Sequence, residues 1–470
     1  MEGIIEGYEN IKYIQSSLHG NGVATTKQFH SGEVIFLEIP SLFLQSIPNR
    51  QDVIVCAFCS RFVGTCGTQL MLLSREISRL EYMNDSLRFP GDFLLSPIVP
   101  CLYQCGEVYC SEICRTRHLE NGHTLLCTGN ISEEEADESP LIQFKQHAVQ
   151  TNEIFLLVGE LFARFCSVLD RTGDLEFTIS NILTPYETFQ RHLWWDVAVA
   201  PPHEQAKLRL TLQQLVMESW ELLNKTLQLE QRGIATILNQ EYLARTIGMF
   251  EQNNVGVRLT NPISQYLIPS LQSSLSAEIF QSTVDYLLSS TQRIQSAIEG
   301  EDCNVMEQEG GDDDEEWEDI SDDEVDNEEN NENIESKEEN GLSINMNDIQ
   351  LKQIQNYQTL QDIITSTGEE NLYPPLDGTS FYKTICRINH SCVPNVIVKY
   401  ISHPIYGLCA QMTVLRDIEE NEELVQSYID NTLDTEERQA LLKDYGFECT
   451  CSLCQAGLNS NNNNNNGSNI

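Results

Sequence analysis

The feature that most limits what this chain can fold into is its cysteine pattern between Cys56 and Cys127. Cys56 and Cys59 form one close pair and Cys101 and Cys105 a second. Cys110 and Cys114, in "YCSEIC", form a third, and His123 and Cys127 a fourth. Eight nitrogen and sulfur ligands in four pairs suit two tetrahedral zinc ions, each taking two pairs. Cys66 and His118 lie nearby but outside the pairs. A further triplet, Cys449, Cys451 and Cys454, stands in "CTCSLC". Structural zinc wants four ligands, so the triplet needs one more. Cys392, in "RINHSCVPN", is the candidate, with Cys386 and Cys409 as alternatives. A zinc held by Cys392, Cys449, Cys451 and Cys454 would pin the chain end against that segment.

The start, "MEGIIEGYENIKYIQ", has an early acid and no long apolar core, so it does not read as a secretory signal. In a reducing compartment clustered thiols bind metal more often than they pair. A cytoplasmic or nuclear location, or both, is expected. No stretch of about 18 apolar residues is present, so no membrane span is expected.

The formal charge is −43, and residues 301–340 supply nearly half of it with 21 acids against one lysine. Without them the chain still carries −23. Direct nucleic-acid binding is disfavoured, since phosphate contacts need clustered Lys and Arg. A basic protein is the natural complement of such a surface, although an acidic balance also serves solubility alone.

The 470 residues allow roughly three domain-sized units. "YIQSSLHGNGVATTKQFHSGEVIFLEIP", from Tyr13 to Pro40, alternates short apolar runs with Gly-rich turns and reads as small strands. From Leu141 to about Ile298 apolar residues recur at helical spacing, as at Ile154, Leu157, Leu161 and Phe165. The acidic stretch cannot bury enough apolar surface to order itself. "IQLKQIQNYQTLQDIITST" reads as a helix, and "NVIVKYI", "LCAQMTVL" and "EELVQSYI" as strands. "LDTEERQALLKDYG" reads as a short helix capped by Gly446. "MFEQNNVGVRL", with Asn253 and Asn254, reads as a turn sooner than as a cofactor wall. Two β-rich pieces thus flank a finger, a helical insert and an acidic insert, and can form one composite α+β domain.

The finger pattern resembles a MYND zinc finger. "NHSCVPN", "ELVQSYID" and "YGFECTCSLC" resemble the SET domain of protein lysine methyltransferases, and "GNGVATTKQFHSGEVIFLEIP" resembles its opening strands. Together they make the chain similar to the SET and MYND domain family, covering both ends of the sequence. The long spacing from Cys59 to Cys101 is most like the family's divergent fifth member. A second departure is the wider spacing of the Cys101–Cys105 pair, which makes Cys101 the least secure ligand.

The resemblance implies a domain order. Residues 13–55 and 376–430 form a split SET domain, 56–127 an expanded MYND finger and 141–300 a helical insert. Residues 301–345 form an acidic disordered insert, 431–456 a post-SET zinc segment and 457–470 a disordered Asn-rich tail. It implies interleaved zinc ligands: Cys56, Cys59, Cys110 and Cys114 for one ion, Cys101, Cys105, His123 and Cys127 for the other. With the post-SET site this makes three structural zinc ions. It implies methyl transfer from S-adenosylmethionine to lysine of a basic protein, a histone or a non-histone such as a ribosomal protein. Gly20, Gly22, Asn389, His390, Tyr428 and Phe447 are then expected at the cofactor, and Tyr428 is the catalytic candidate. The finger's implied partner is a proline-rich peptide, and a monomer is expected. Two rival readings are a catalytically inactive interaction adaptor and an acidic mimic that shields basic proteins.

Overall fold

A computed structural model describes residues 3–16, 20–75, 94–199, 201, 203–271, 277–308, 346–443 and 445–457. Strands from the two ends of the chain share one antiparallel sheet. Its order is Gly3–Glu6, Val34–Ile39, Gly407–Val414, Val396–His403. Phe36 pairs with Met412 and Glu38 with Ala410. The run "VIFLEI" is buried almost throughout, because it is a central strand with apolar cover on both faces. A second sheet pairs Val255–Leu259 with Leu376–Phe381, and that strand with Leu42–Gln45. A hairpin, Ile11–Ser16 with Gly20–Thr25, covers the first sheet. Ile11, Val23, Phe36, Ile388, Met412 and Leu424 meet in the core between these pieces.

Gly3–Glu6 extends the first β piece below the boundary expected at residue 13. The stretch "MFEQNNVGVRL" is not a turn. It is the end of helix Gln240–Asn253 followed by the strand Val255–Leu259. Its partner lies more than a hundred residues on, so no local signal could place it. "EELVQSYI" contributes a strand of only Val425–Gln426.

The helical insert is built on Ile154–Thr172, whose Ile154, Leu157, Leu161 and Phe165 are all buried. It ends at Gly173, which takes the left-handed conformation that stops a helix. Gln205–Leu227 and Gln240–Asn253 pack on it. The finger is fastened to this helix: a Cβ on Gly122 would lie 2.8 Å from the backbone of Ala163 and Arg164. Part of the long Cys59–Cys101 spacing is helix Cys66–Leu73, which packs with Ile263, Leu287, Leu360 and Tyr373 in a separate core. Cys66 is therefore a buried core thiol.

Ala277–Gln308 and Met346–Thr367 pack together, with the Phe280 and Tyr357 rings 5.9 Å apart. The expected disorder from residue 301 is corrected in part, since residues 301–308 continue the first of these helices. Residues 309–345 and 458–470, where the remaining disorder was expected, lie outside the described residues.

Candidate functional site

Three clusters bring the cysteines together. Cys56, Cys59, Cys110 and Cys114 form one, Cys101, Cys105, His123 and Cys127 the second, and Cys392, Cys449, Cys451 and Cys454 the third. Within each, the ligand atoms all lie within 4.8 Å of one another. Zinc–sulfur bonds of about 2.3 Å in a tetrahedron place sulfurs about 3.8 Å apart. Cys59 and Cys110 stand at 3.6 Å, Cys101 and Cys127 at 3.8 Å, and Cys392 and Cys454 at 3.5 Å. His123 Nε2 is 3.5 Å from both Cys101 and Cys105. The donor sets and spacings fit zinc at all three. Cys101 stands inside its cluster, whereas Cys386 and Cys409 stand apart from the third.

Burial pushes the Cys392 thiol up, and the neighbouring Cys454, Cys449 and Cys451 push it further. Such a crowd of sulfurs is at ease as thiolates only around a divalent cation. Gln439 steadies the triplet. Its amide donates to the Cys449 carbonyl at 2.7 Å and accepts the Cys449 N–H at 3.0 Å. Arg438, buried, places a guanidinium nitrogen 3.8 Å from Cys454 Sγ.

The segment that carries Cys392 is threaded beside the one that carries Tyr428. Asn389–His390 runs parallel to Val425–Gln426. Ser391 N–H donates to the Gln426 carbonyl at 2.9 Å, and Asn395 N–H to the Val425 carbonyl at 3.0 Å. Asn395 completes the crossing. Its side chain accepts the Val425 N–H at 2.8 Å and donates to the Glu423 carbonyl at 2.8 Å. Sequence reasoning passed over this fully buried asparagine. A polar residue between Pro394 and an apolar strand was the available signal.

Glu38 was passed over as well. It is fully buried, and its two carboxylate oxygens accept the N–H groups of Thr384 (2.8 Å) and Ile385 (3.0 Å). These bonds fix the turn Ile385–Arg387 that feeds Asn389. Burial raises its pKa from 4.5 to about 7 against the opposing pull of those donors.

Tyr428 sits where two regions meet. Its hydroxyl donates to the Ile388 carbonyl at 2.7 Å, and its backbone N–H donates to His390 Nδ1 at 3.0 Å. Burial, then Cys386 and Tyr445, raise its pKa well above the ordinary phenol value. On one side it lines a cavity of about 620 Å³ with Asn253, Asn254, Tyr400, Gln426 and Tyr445. Asp430 is the one charged side chain among the lining residues. His390 and Phe447, which do not line that cavity, hold their rings 5.3 and 6.4 Å from that of Tyr428.

The hairpin turn approaches the same region. Asn389 Nδ2 donates to the Asn21 carbonyl at 3.0 Å and to Glu423 Oε1 at 2.9 Å. A Cβ on Gly22 would lie 2.9 Å from Asn389 Nδ2 and 2.8 Å from Glu423 Oε1, so a larger residue there would push these two side chains aside. Gly20 has φ +77°, the left-handed region. None of Gly20, Gly22, Asn389, His390 or Phe447 lines the cavity. The site thus offers a cavity with Tyr428 on its wall, and beside Tyr428 the rings of His390 and Phe447 and the polar contact of Asn389 with the hairpin turn.

The geometry defines a protein of split β architecture, with metal-capable clusters and a tyrosine on the wall of a cavity. Comparison with known proteins names its kind. The SET domain profile matches residues 20–429. Histone-lysine N-methyltransferase ATXR2 of Arabidopsis thaliana is 25% identical over 500 residues, covering 93% of this chain and 88% of that protein. N-lysine methyltransferase SMYD2 is 40% identical in Gallus gallus and 38% in Homo sapiens over 78 residues, 16% of this chain and 17% of each relative. The chain belongs to the SET domain family. It is a protein-lysine N-methyltransferase that uses S-adenosylmethionine.

Proposed function

We propose that Tyr428 is the catalytic residue and that Gly20, Gly22, Asn389, His390 and Phe447 join it in holding S-adenosylmethionine. The observation that carries this reading is the position of Tyr428 on the cavity wall, with its backbone N–H on His390 and its ring beside that histidine. The cofactor supplies the activated methyl carbon. The protein's own task is to align the target nitrogen and to present it neutral. A free lysine has a pKa of about 10.4, so roughly one in 10³ is neutral at pH 7. The rings of Tyr400, Tyr428 and Tyr445 on the cavity wall disfavour the ammonium by displacing water around it, while Asp430 in the same lining attracts the incoming charged lysine. Tyr428 spends its proton on Ile388, so its oxygen presents lone pairs to the reacting centre. There it can orient the amine and accept a weak C–H···O contact.

The three clusters are assigned to structural zinc, and residues 56–127 to an expanded MYND finger with a proline-rich peptide as partner. The substrate is a basic protein, histone or non-histone. A net charge of −43 and a cavity lining without a cation support this. ATXR2 is named for histone lysine, which makes histones the first substrates to try. The enzyme is placed in the cytoplasm, the nucleus or both, as a monomer. No helix among the described residues is long and apolar enough to cross a membrane.

The test uses purified protein, a tritium-labelled methyl donor, and histones or a lysate from cells lacking the gene. Wild type should label a band. Tyr428→Phe, matched for zinc content and folding, should lower the rate about 100-fold, as misplacement of a reacting group does. Equal labelling by both proteins would remove Tyr428 from the mechanism.

A further inference from the structure

Asp430 follows closely on Tyr428 in sequence and lines the same cavity, where it is the one charged side chain. Its Oδ1 accepts the backbone N–H of Thr432 at 2.8 Å and the Thr432 hydroxyl at 2.7 Å. Both bonds favour the carboxylate over the acid, and the residue is exposed, so it is charged at neutral pH. Among the described residues no Lys or Arg is paired with it. Hydroxyl protons of the same lining are committed elsewhere. Tyr400 donates to the Gly256 carbonyl at 2.6 Å, Tyr428 to that of Ile388 at 2.7 Å and Ser427 to that of Ile429 at 2.8 Å.

This charge is at odds with the reaction. Methyl transfer needs the target amine neutral, whereas a carboxylate beside it favours the ammonium. The attraction that draws a lysine in would therefore hold back its deprotonation, unless a second cation took over Asp430. A cavity of about 620 Å³ is of the size that encloses drug-sized molecules, so it has room for more than one side chain. Neighbouring residues of an extended peptide lie only about 3.3 Å apart. Among cationic side chains arginine fits best, because its guanidinium stays charged, donates in one plane and stacks on aromatic faces. Tyr445 supplies an aromatic ring in the same lining, exposed and 5.2 Å from that of Tyr428.

We propose that Asp430 is a specificity-determining residue that binds an arginine one or two residues from the target lysine of the substrate. The proposal rests on reading the cavity as the lysine site and Tyr428 as catalytic. The arginine anchors the peptide and neutralises the carboxylate. The lysine then releases its proton to water and meets the methyl donor as a free amine. The substrate class is a basic segment with an arginine beside the lysine, rather than any exposed lysine.

The test uses full-length protein and short synthetic peptides that carry one lysine and one arginine, placed one or two residues away on either side. Each has a twin with citrulline, which keeps the shape of arginine without its charge. For binding, norleucine replaces the lysine, so that only the arginine can pair with Asp430. At one placement the arginine peptide should bind about tenfold more tightly than its twin, as expected for a charged hydrogen bond. Asp430→Asn keeps an oxygen for Thr432 and should erase that ratio by weakening only the arginine peptide. With the lysine restored, Asp430→Asn should lower kcat/KM for the arginine peptide and raise kcat for the citrulline one, because the charge opposing deprotonation is gone. Equal binding of both twins at every placement overturns the proposal, and so does a ratio that survives Asp430→Asn. If the ratio is present but wild type methylates neither the peptides nor histones, the reading of the cavity as the lysine site fails, and the proposal fails with it.

Discussion

Tyr428, half-buried, and Glu38, fully buried, are two ionisable residues whose environments set opposite tasks. Burial holds the Tyr428 phenol protonated, with its hydroxyl committed to Ile388. It should not act as a general base. The pH profile of kcat should then contain no limb from Tyr428 below about pH 10, and Tyr428→Phe should lower the profile without moving its limbs. A limb near neutrality that disappears in the variant would reverse this assignment. Glu38 has a folded-state pKa of about 7 against an ordinary 4.5. The folded state therefore holds the proton more tightly than the unfolded chain. The stabilisation is complete below about pH 4.5 and is lost as pH rises through 7. Glu38→Gln cannot ionise, so wild type should lose stability relative to it between pH 5 and 8, by on the order of 3 kcal/mol. Denaturant melts across that range decide it, and parallel curves for the two proteins would refute it. The sequence hinted at Glu38 as the sole acid inside "VIFLEIP", but its partners Thr384 and Ile385 are far along the chain.

The elements divide by how local their causes are. Each cysteine pair was legible because its two ligands are neighbours in sequence. Their grouping in space matches the interleaving that the family resemblance implied. Helix Ile154–Thr172 was legible because its periodicity lies within one segment. Strand Val255–Leu259 was not, since a five-residue apolar alternation after a helix has no meaning without Leu376–Phe381. Asn395 and Gln439 were also missed. Both act by hydrogen bonds to backbone of other segments, which composition does not reveal. The short segment that carries Cys449, Cys451 and Cys454 has little fully buried apolar core beyond Leu442 and its cysteines, so metal should supply most of its order. Cys451→Ser should therefore lower bound zinc from three ions per chain to two. It should also reduce methyl transfer at least about tenfold, because the same cluster abuts His390. Metal analysis beside the tritium assay checks both; two ions with full transfer would separate the cluster from catalysis.

At the scale of the whole molecule, the acidic segment is set apart by its charge. Residues 309–345 carry 18 acids and one lysine. They connect Ala277–Gln308 to Met346–Thr367, and those helices hold each other without them. Asn356 donates to Asp285 at 2.7 Å, and the Thr291 and Tyr373 hydroxyls lie 2.6 Å apart. Val284, Leu287 and Leu360 fill the core between them. A short Gly-Ser linker in place of 309–345 should therefore leave the melting temperature unchanged. Turnover on a short lysine peptide should also be unchanged, because the described residues around Tyr428 supply a cavity lining of their own. A full-length basic protein presents charge over a wider area, and there the segment's field adds to attraction. Removing it should raise KM for that substrate severalfold at low salt and leave it unaltered at high salt, where the Debye length is only about 3 Å at 1 M. This pattern separates an accessory attractor from a main binding surface. If the deletion abolished turnover on the short peptide as well, the segment would belong to the catalytic unit. If it changed neither substrate, its charge would serve solubility alone.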